Sequence, residues 1–411
     1  MSTPSETNKE SCLDLSKWSK LPNQLIGFGA LTAILGIVIP SWHKTFAYSY
    51  LTAYMFFLSL VLGSLFLVLV HHLFDSYWIV PIRRFLEHLS CATPVLGFLF
   101  IPIALFAGSI YPWMSSTGHD HSLEVKSFMY NRGSFYLMAV ILFALWYWLS
   151  NGLRSASLEQ DKTGAAAHTH TMRRYACGGI FIFAITLTFA CFYWMKSLEH
   201  QWFSTMYGVY YFAGSVWVTL ATTYVIALVL RGTGHLAPII QKSTFKDIGT
   251  LFFAFTVFYA YIHFSQYFLI WNAAIPEETF WYVKRTNGVW WSVGMLIIFG
   301  HFFVPFLGLL RIDAKMCLPV MVPMVVWAWL MHYADMSFNI KPISNPSGIG
   351  VTFPGLILSL GTMAGMAGLF AKWFLKEFNA HPPFPQRDPR VAETVAAYVE
   401  PLSASASSAN K

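Results

Sequence analysis

Imidazoles and carboxylates recur inside stretches of this chain that are otherwise hydrocarbon, and they are the groups through which it could do chemistry. His263 stands in Tyr261-Ile262-His263-Phe264-Ser265-Gln266, with Gln266 three residues on, and His301 lies in a second apolar stretch. Histidine titrates near neutrality and can pass a proton between its two ring nitrogens, so each reads as a relay position. A neutral ring hydrogen-bonded to one neighbour is the plainer alternative. His332 and Asp335 are three apart, on one helical face, beside Trp327, Trp329 and Tyr333. A carboxylate next to an imidazole is the arrangement by which a quinol hydroxyl loses a proton while its ring lies among aromatics. A polar helix end at the outer boundary is the other reading of that pair. His71, His72 and Asp75 form an inner group with Arg83, Arg84, Glu87 and His88 just beyond, where basic residues would otherwise sit near lipid phosphates. Glu199, His200, Glu277 and Glu278 form an outer group. Titratable groups are expensive in a bilayer. An inner cluster, two midway histidines and an outer cluster are therefore what two half-channels would need.

Metal and haem chemistry find less support. His119-Asp120-His121 with Glu124 has the most metal-like spacing, but no fourth ligand is evident. His168 and His170 lie in the polar stretch 152–173, which reads as a flexible solvated linker. The five cysteines (Cys12, Cys91, Cys177, Cys191, Cys317) form no CxxC pair, which argues against a zinc or iron–sulfur site within the chain. Two haems stacked across a helix pair need two histidines on one helix about 13–14 residues apart. No apolar stretch carries such a pair. A single haem held by His263 and His301 is the remaining alternative, disfavoured by their different depths. The expectation is no redox cofactor and no metal in this chain.

The elements that must position these groups follow from composition. Of 411 residues, 56% are hydrophobic, 18% aromatic and only 11% charged, against ~45–50% apolar and ~25% charged in a soluble domain. Polar caps separate apolar runs of about 20 residues, the length with which a helix spans ~30 Å of hydrocarbon. The runs do not alternate as the strands of a membrane barrel would. Ten segments are expected, at about 22–40, 47–72, 91–112, 132–151, 175–196, 204–230, 248–272, 287–310, 317–336 and 351–375. The seam at Ser197–Trp217 divides them into a first half (22–196) and a second (197–375), with polar tails at 1–21 and 376–411. Of the 26 Lys and Arg, 19 fall on the side that holds both termini, so both are expected in the cytoplasm. The same distribution makes the net charge of +7 a matter of topology and not of nucleic-acid binding. The polar start, with Glu6, Lys9, Glu10 and Asp14, lacks the layout of a cleaved signal. Gly361, Gly365 and Gly368 should let another helix approach the last one closely. The tail from His381 through Pro-Pro-Phe-Pro-Gln-Arg-Asp-Pro-Arg should be stiff and extended.

Three stretches resemble the NrfD-like, or polysulfide-reductase membrane-subunit, family. They are Ser197-Leu198-Glu199-His200-Gln201-Trp202-Phe203-Ser204-Thr205 with Gly208-Val209-Tyr210-Tyr211-Phe212-Ala213-Gly214; Phe264-Ser265-Gln266-Tyr267-Phe268-Leu269-Ile270-Trp271 followed by Pro276-Glu277-Glu278 and Trp281-Tyr282; and the end of the second segment through Arg83-Arg84 and Glu87. The Arg387-Asp388-Pro389-Arg390 tail is similar too. Within the family the likeness is to the smaller of the two such subunits of alternative complex III, a bacterial quinol:electron-acceptor oxidoreductase. The resemblance implies ten transmembrane helices, as two four-helix bundles with two flanking helices, in a bacterial inner membrane. It implies a larger homologous membrane subunit, an iron–sulfur protein and c-type cytochrome subunits as partners, with the haem c and iron–sulfur clusters held by those partners. It places quinol oxidation on the larger subunit, so a proton path suits this chain better. Glu199, His263, Gln266, Glu277 and Glu278 are carried over as motif matches without assigned roles. A stand-alone secondary transporter is the competing reading, weakened because Pro305, Pro319 and Pro323 lie nearer one membrane face than the midplane.

Overall fold

The structure is a computed structural model that describes residues 18, 20–115, 120–232, 236, 239–345 and 352–391. With no water to satisfy backbone groups in hydrocarbon, long apolar runs become helices, and every regular element among the described residues is helical. In chain order the principal helices are α1 (Lys20–Val38), α2 (His43–Phe74), α3 (Val80–Ser90), α4 (Thr93–Leu105), α5 (Arg132–Thr163), α6 (Ala167–Trp194), α7 (Tyr207–Gly232), α8 (Lys242–Ala273), α9 (Pro276–Val283), α10 (Val289–Leu296), α11 (Leu318–Ile340) and α12 (Phe353–Ala380). Past Leu296, α10 continues through a π-helical turn, Ile297–Phe303, into Val304–Gly308.

Nine helices among the described residues are long and apolar enough to cross a membrane, which suits a multi-pass membrane protein. The sequence count of ten includes α11, which is not among the nine. At 23 residues it has the length, but Pro319, Pro323, His332, Asp335 and Asn339 dilute its apolar character.

The axis of the molecule is α2. In the span that contains it the most apolar stretch is 89% buried, against 22% for α1 and for Val289–Gly308. It packs on α3, α4, α6, α7, α11 and α12. Contacts group α2, α4, α5 and α6 together, and α7, α8, α10 and α11 together, while α1 lies along α12. The two groups meet where α2 crosses α7. There a Cβ on Gly63 would stand 2.3 Å from Thr219 Oγ1, and Tyr211 donates to the Met55 carbonyl at 2.7 Å.

The stretch 152–173 is helical apart from one turn, correcting the expectation of a flexible linker. Its Ala, Gln, Glu, Lys and Arg residues are good helix formers although polar, so α5 and α6 extend beyond their apolar portions. They are separated at Gly164, whose φ of 70° is the left-handed conformation that glycine adopts cheaply. Likewise the third span begins at Tyr77, well before the expected position 91, because α3 is polar yet buried.

Small residues bring α1 and α12 together. A Cβ on Gly365 would lie 2.9 Å from the Gly29 Cα, and one on Gly361 would lie 2.0 Å from Thr32 Oγ1. The Gly365→Leu variant should therefore lose ~1–3 kcal/mol through overpacking. Gly27→Ala, where nothing lies within 4 Å, should cost no more than the few tenths typical of a surface position. Thermal unfolding of the two variants in one detergent checks the contrast.

Candidate functional site

Of the candidate positions, Asp335 belongs to a buried polar chain in the second helix group, and His263, His301 and His332 lie beside it. Asp335 and His332, on α11, are each 0% exposed, so the pair is interior and not a boundary cap. They turn to different partners. His332 Nε2 lies 2.9 Å from Ser59 Oγ on α2, and a Cβ on Gly214 of α7 would touch its ring at 3.2 Å. Asp335 Oδ1 accepts from the Tyr210 hydroxyl. The Tyr210 oxygen in turn lies 2.9 Å from Asn339 Nδ2 and 3.2 Å from the Tyr259 hydroxyl. Tyr207 donates to Asn339 Oδ1 at 3.0 Å. Because the Tyr210 proton goes to Asp335, Tyr259 is left as the donor to Tyr210. Both phenols are therefore donors toward Asp335, Tyr259 by way of Tyr210 and also by its own hydrogen bond to the carboxylate.

Beside it, His301 lies in the π-helical turn, a distortion frequent at functional sites. Its ring is sandwiched between Trp217 and Tyr259, at centroid distances of 3.9 and 3.8 Å and angles of 22° and 18°. The Trp327 indole donates to the Gly300 carbonyl within that turn. His263 lies 5.5 Å from the Tyr210 ring and 5.9 Å from that of Tyr259. Among the described residues, both His301 nitrogens, His332 Nδ1, Asp335 Oδ2 and Gln266 Oε1 are buried without a hydrogen-bond partner.

A cleft of about 490 Å³ opens between α8, α9 and α10, lined by Tyr259, His263, Tyr267, Tyr282, Arg285 and Trp291 among others. Its rim residues Phe264 and Trp291 are exposed. Tyr259 belongs both to the cleft wall and to the chain leading to Asp335, whereas His332 and Asp335 do not line the cleft.

On the outer side the expected cluster divides. Glu199 is buried and pairs with Arg285 at 3.0 Å and Lys284 at 3.2 Å. Arg285 stacks on Trp281 at 3.6 Å and donates to the Phe338, Asn339 and Trp281 carbonyls. His200 pairs instead with Asp120 at 2.7 Å. That hydrogen bond, with another from Ser122, holds the Asp120 carboxyl well below the usual range. Glu277 is exposed on the wall of an outer pocket with Asp120, His121 and Lys126. Glu278 enters through its carbonyl, which accepts from the Trp202 indole. His119 lies outside the described residues, and among those described no group of three or more His, Cys, Asp and Glu side chains is placed to hold a metal.

The inner cluster is an ion network closed by the tail. Arg83 and Arg84 are 0% exposed, correcting the picture of a basic interface near lipid. Both pair with Glu87, at 3.1 and 2.8 Å. Arg83 also pairs with Asp388, and Arg84 with Asp161. His71 donates through Nδ1 to the Ser76 carbonyl at 2.9 Å, leaving Nε2 to accept from Arg83 at 3.1 Å. Asp75 takes a two-pronged contact from Arg173 and a further one from Arg390. Burial pushes the Asp388 carboxyl up, but the hydrogen bond from Arg390 and the charge of Arg83 overcome it and hold it well below the usual range.

Sequence reasoning missed Tyr210, Tyr259, Asn339 and Ser59. A signal existed: Tyr259, His263 and Gln266 follow the i, i+4, i+7 spacing of one helix face, and Asp335 and Asn339 are four apart. Compared with known proteins, no family model matches the chain and no curated protein shows significant similarity to it.

A further titrating group marks the outer side. Burial first, and then the charge of Lys126, pull the Lys196 amine down to about 8. It is charged below that pH and neutral above it. Its acetylation rate should level off above a midpoint near 8, while exposed lysines continue to gain reactivity toward ~10.4. Peptide mass spectrometry across a pH series checks this.

Proposed function

We propose that this chain is a membrane subunit, without a redox cofactor of its own, of a quinol-oxidising electron-transfer complex, and that it contributes structure and a route for protons. The resemblance of the seam and of the Phe264–Trp271 stretch supplies the kind of complex. The interior supplies the route, and the observation that carries it is the fully buried chain from Tyr259 through Tyr210 to Asp335. In such a chain each hydroxyl accepts a proton as it gives one up, so charge moves without any group travelling far. Asp335 ends the chain as an acceptor, and burying so costly a group in a span is the mark of a functional position.

In this reading ten helices cross a bacterial inner membrane, α11 included, and the bias of Lys and Arg puts both termini in the cytoplasm. The partners are a larger homologous membrane subunit, an iron–sulfur protein and c-type cytochromes. A second reading, a quinol-binding anchor, is favoured by the aromatic cleft. The ring would then lie at His263 and Tyr259 and not at His332 and Asp335, and its hydroxyl protons would leave by way of Tyr210.

Asp335→Asn and Tyr210→Phe test the route. Each should leave the complex assembled and lower proton translocation coupled to electron transfer by about tenfold or more, the scale of a lost proton-transfer partner. Unchanged coupling in both, measured in reconstituted vesicles, removes the route. Native mass spectrometry tests the complex: haem-bearing and iron–sulfur subunits should accompany the chain, whereas a lone oligomer would favour a secondary transporter.

A further inference from the structure

Residues 381–391, HPPFPQRDPRV, carry four prolines. Proline fixes φ, so the segment loses little freedom on being held extended. It leaves the end of α12 and returns across α3 and α5 to the end of α2. At its start, Glu377 pairs with Arg154 and its carbonyl accepts from His381 at 2.8 Å. Midway, the Gln386 amide donates to Asp161 at 2.9 Å and the Arg387 side chain to the Lys162 carbonyl at 2.6 Å. At the far side Asp388 lies between Arg83 and Arg390, and Arg390 reaches Asp75 at 3.1 Å.

Beneath this strap lies a pocket of groups that hydrocarbon alone would not hold: His71, His72, His88, Arg83, Arg84 and Ser157, each no more than 1% exposed. Neither ring nitrogen of His72 or of His88 finds a hydrogen-bond partner among the described residues. Ser157 Oγ lies 3.2 Å from Arg83 and 3.3 Å from Arg84. The strap's contacts are graded. The Asp75 and Arg173 side chains are each 41% exposed, so water reaches the rim, where ion pairs are weak. The Asp388–Arg83 pair is dry on both sides.

We infer that the strap 381–391 is a lid, hinged at the end of α12 and latched by Asp388 on Arg83, whose lifting opens the buried histidine and arginine pocket to water. That such opening feeds protons to the interior rests on the function proposed above; the lid itself does not. Its motion swings Asp388 and Arg390 out together as a pair and leaves Arg83 facing Glu87.

The test uses the full chain in nanodiscs, with Ser157→Cys as a near-isosteric reporter under the strap. A small cationic methanethiosulfonate is the probe, and labelling is read peptide by peptide. Cys191, 0% exposed in α6, reports whether the fold holds. Asp388→Asn should speed labelling of the reporter about tenfold or more, since removing one partner strands a buried charge, while Cys191 stays protected. Asp388→Glu, which keeps the charge facing both Arg83 and Arg390, should keep labelling slow. Labelling of both cysteines in Asp388→Asn, or of neither, overturns the lid: the first would make the strap a structural staple, the second a fixed wall. Because no proton is measured, failure here leaves the interior route to be judged by its own variants.

Discussion

The cost of stranding a polar group in hydrocarbon is the constraint on which the rest of the structure depends, and α2 is where it acts most strongly. A helix packed on nearly every side has no lipid or water face to which a serine or histidine can turn. Most polar side chains on α2 accordingly find a partner on a neighbouring helix or on the backbone, with the Tyr54 hydroxyl and the His72 ring the exceptions among the described residues. Ser59 finds His332, His71 finds Arg83 and a carbonyl, and Ser49 lies 3.2 Å from Ser359 on α12. The polar positions of α2 thus constrain where α3, α11 and α12 place theirs.

The two buried polar regions meet the constraint differently. At the inner end, four arginines (Arg83, Arg84, Arg173, Arg390) meet four carboxylates (Asp75, Glu87, Asp161, Asp388). Removing one member of a buried pair costs ~3–5 kcal/mol, whereas removing both is often neutral. That network therefore specifies which pieces belong together more than it stabilises them. In the second helix group the groups are phenols, imidazoles, an amide and one carboxylate. Hydrogen bonds satisfy part of that set and leave Asp335 Oδ2 and both His301 nitrogens without one. A region built only for stability would have used apolar residues of the same volume. The π-helical turn that carries His301 into the stack with Trp217 and Tyr259 gives up regular helix geometry to place it there.

How far this was legible in the sequence depended on the range of the signal. Long apolar runs and their spacing announce helices, and the all-helical membrane-type architecture follows from them. The Gly361–Gly365 pair announced a close helix contact because its chemistry is local. The polar helices were harder: α3 is amphipathic and buried, and the polar ends of α5 and α6 look like linker to any hydropathy count. His263, His301, His332 and Asp335 stood out as titratable groups in apolar surroundings, but their partners did not. Tyrosine is at home in a membrane protein, so Tyr210 and Tyr259 carried no mark until four helices brought them within reach. For Arg83 and Arg84 a place near lipid stayed open beside a role in proton entry because the acids that complete them, Asp388 and Asp161, are 305 and 77 residues away in the chain.

The two regions also stand apart, and the interval decides what kind of route the interior can offer. Ser59 and His71 are 12 positions apart on α2, a rise of about 18 Å. Between them Leu62, Leu65, Val68 and Leu69 are buried and apolar. The hydroxyls there and on the facing side of α7 include Ser64, Ser215 and Thr223, each of which donates to the carbonyl four residues back in its own helix, and Thr219, which donates to the Leu60 carbonyl on α2 at 3.4 Å. A hydroxyl whose proton is engaged with its own backbone must rotate before it can pass that proton on. Under the proposed route the part from Tyr259 to Asp335 is aligned, and the part toward His71 would need side-chain rotation and admitted water. In a coupled device that asymmetry has a use: a resting interval that does not conduct prevents leak, and conduction then waits on an event at one end or the other.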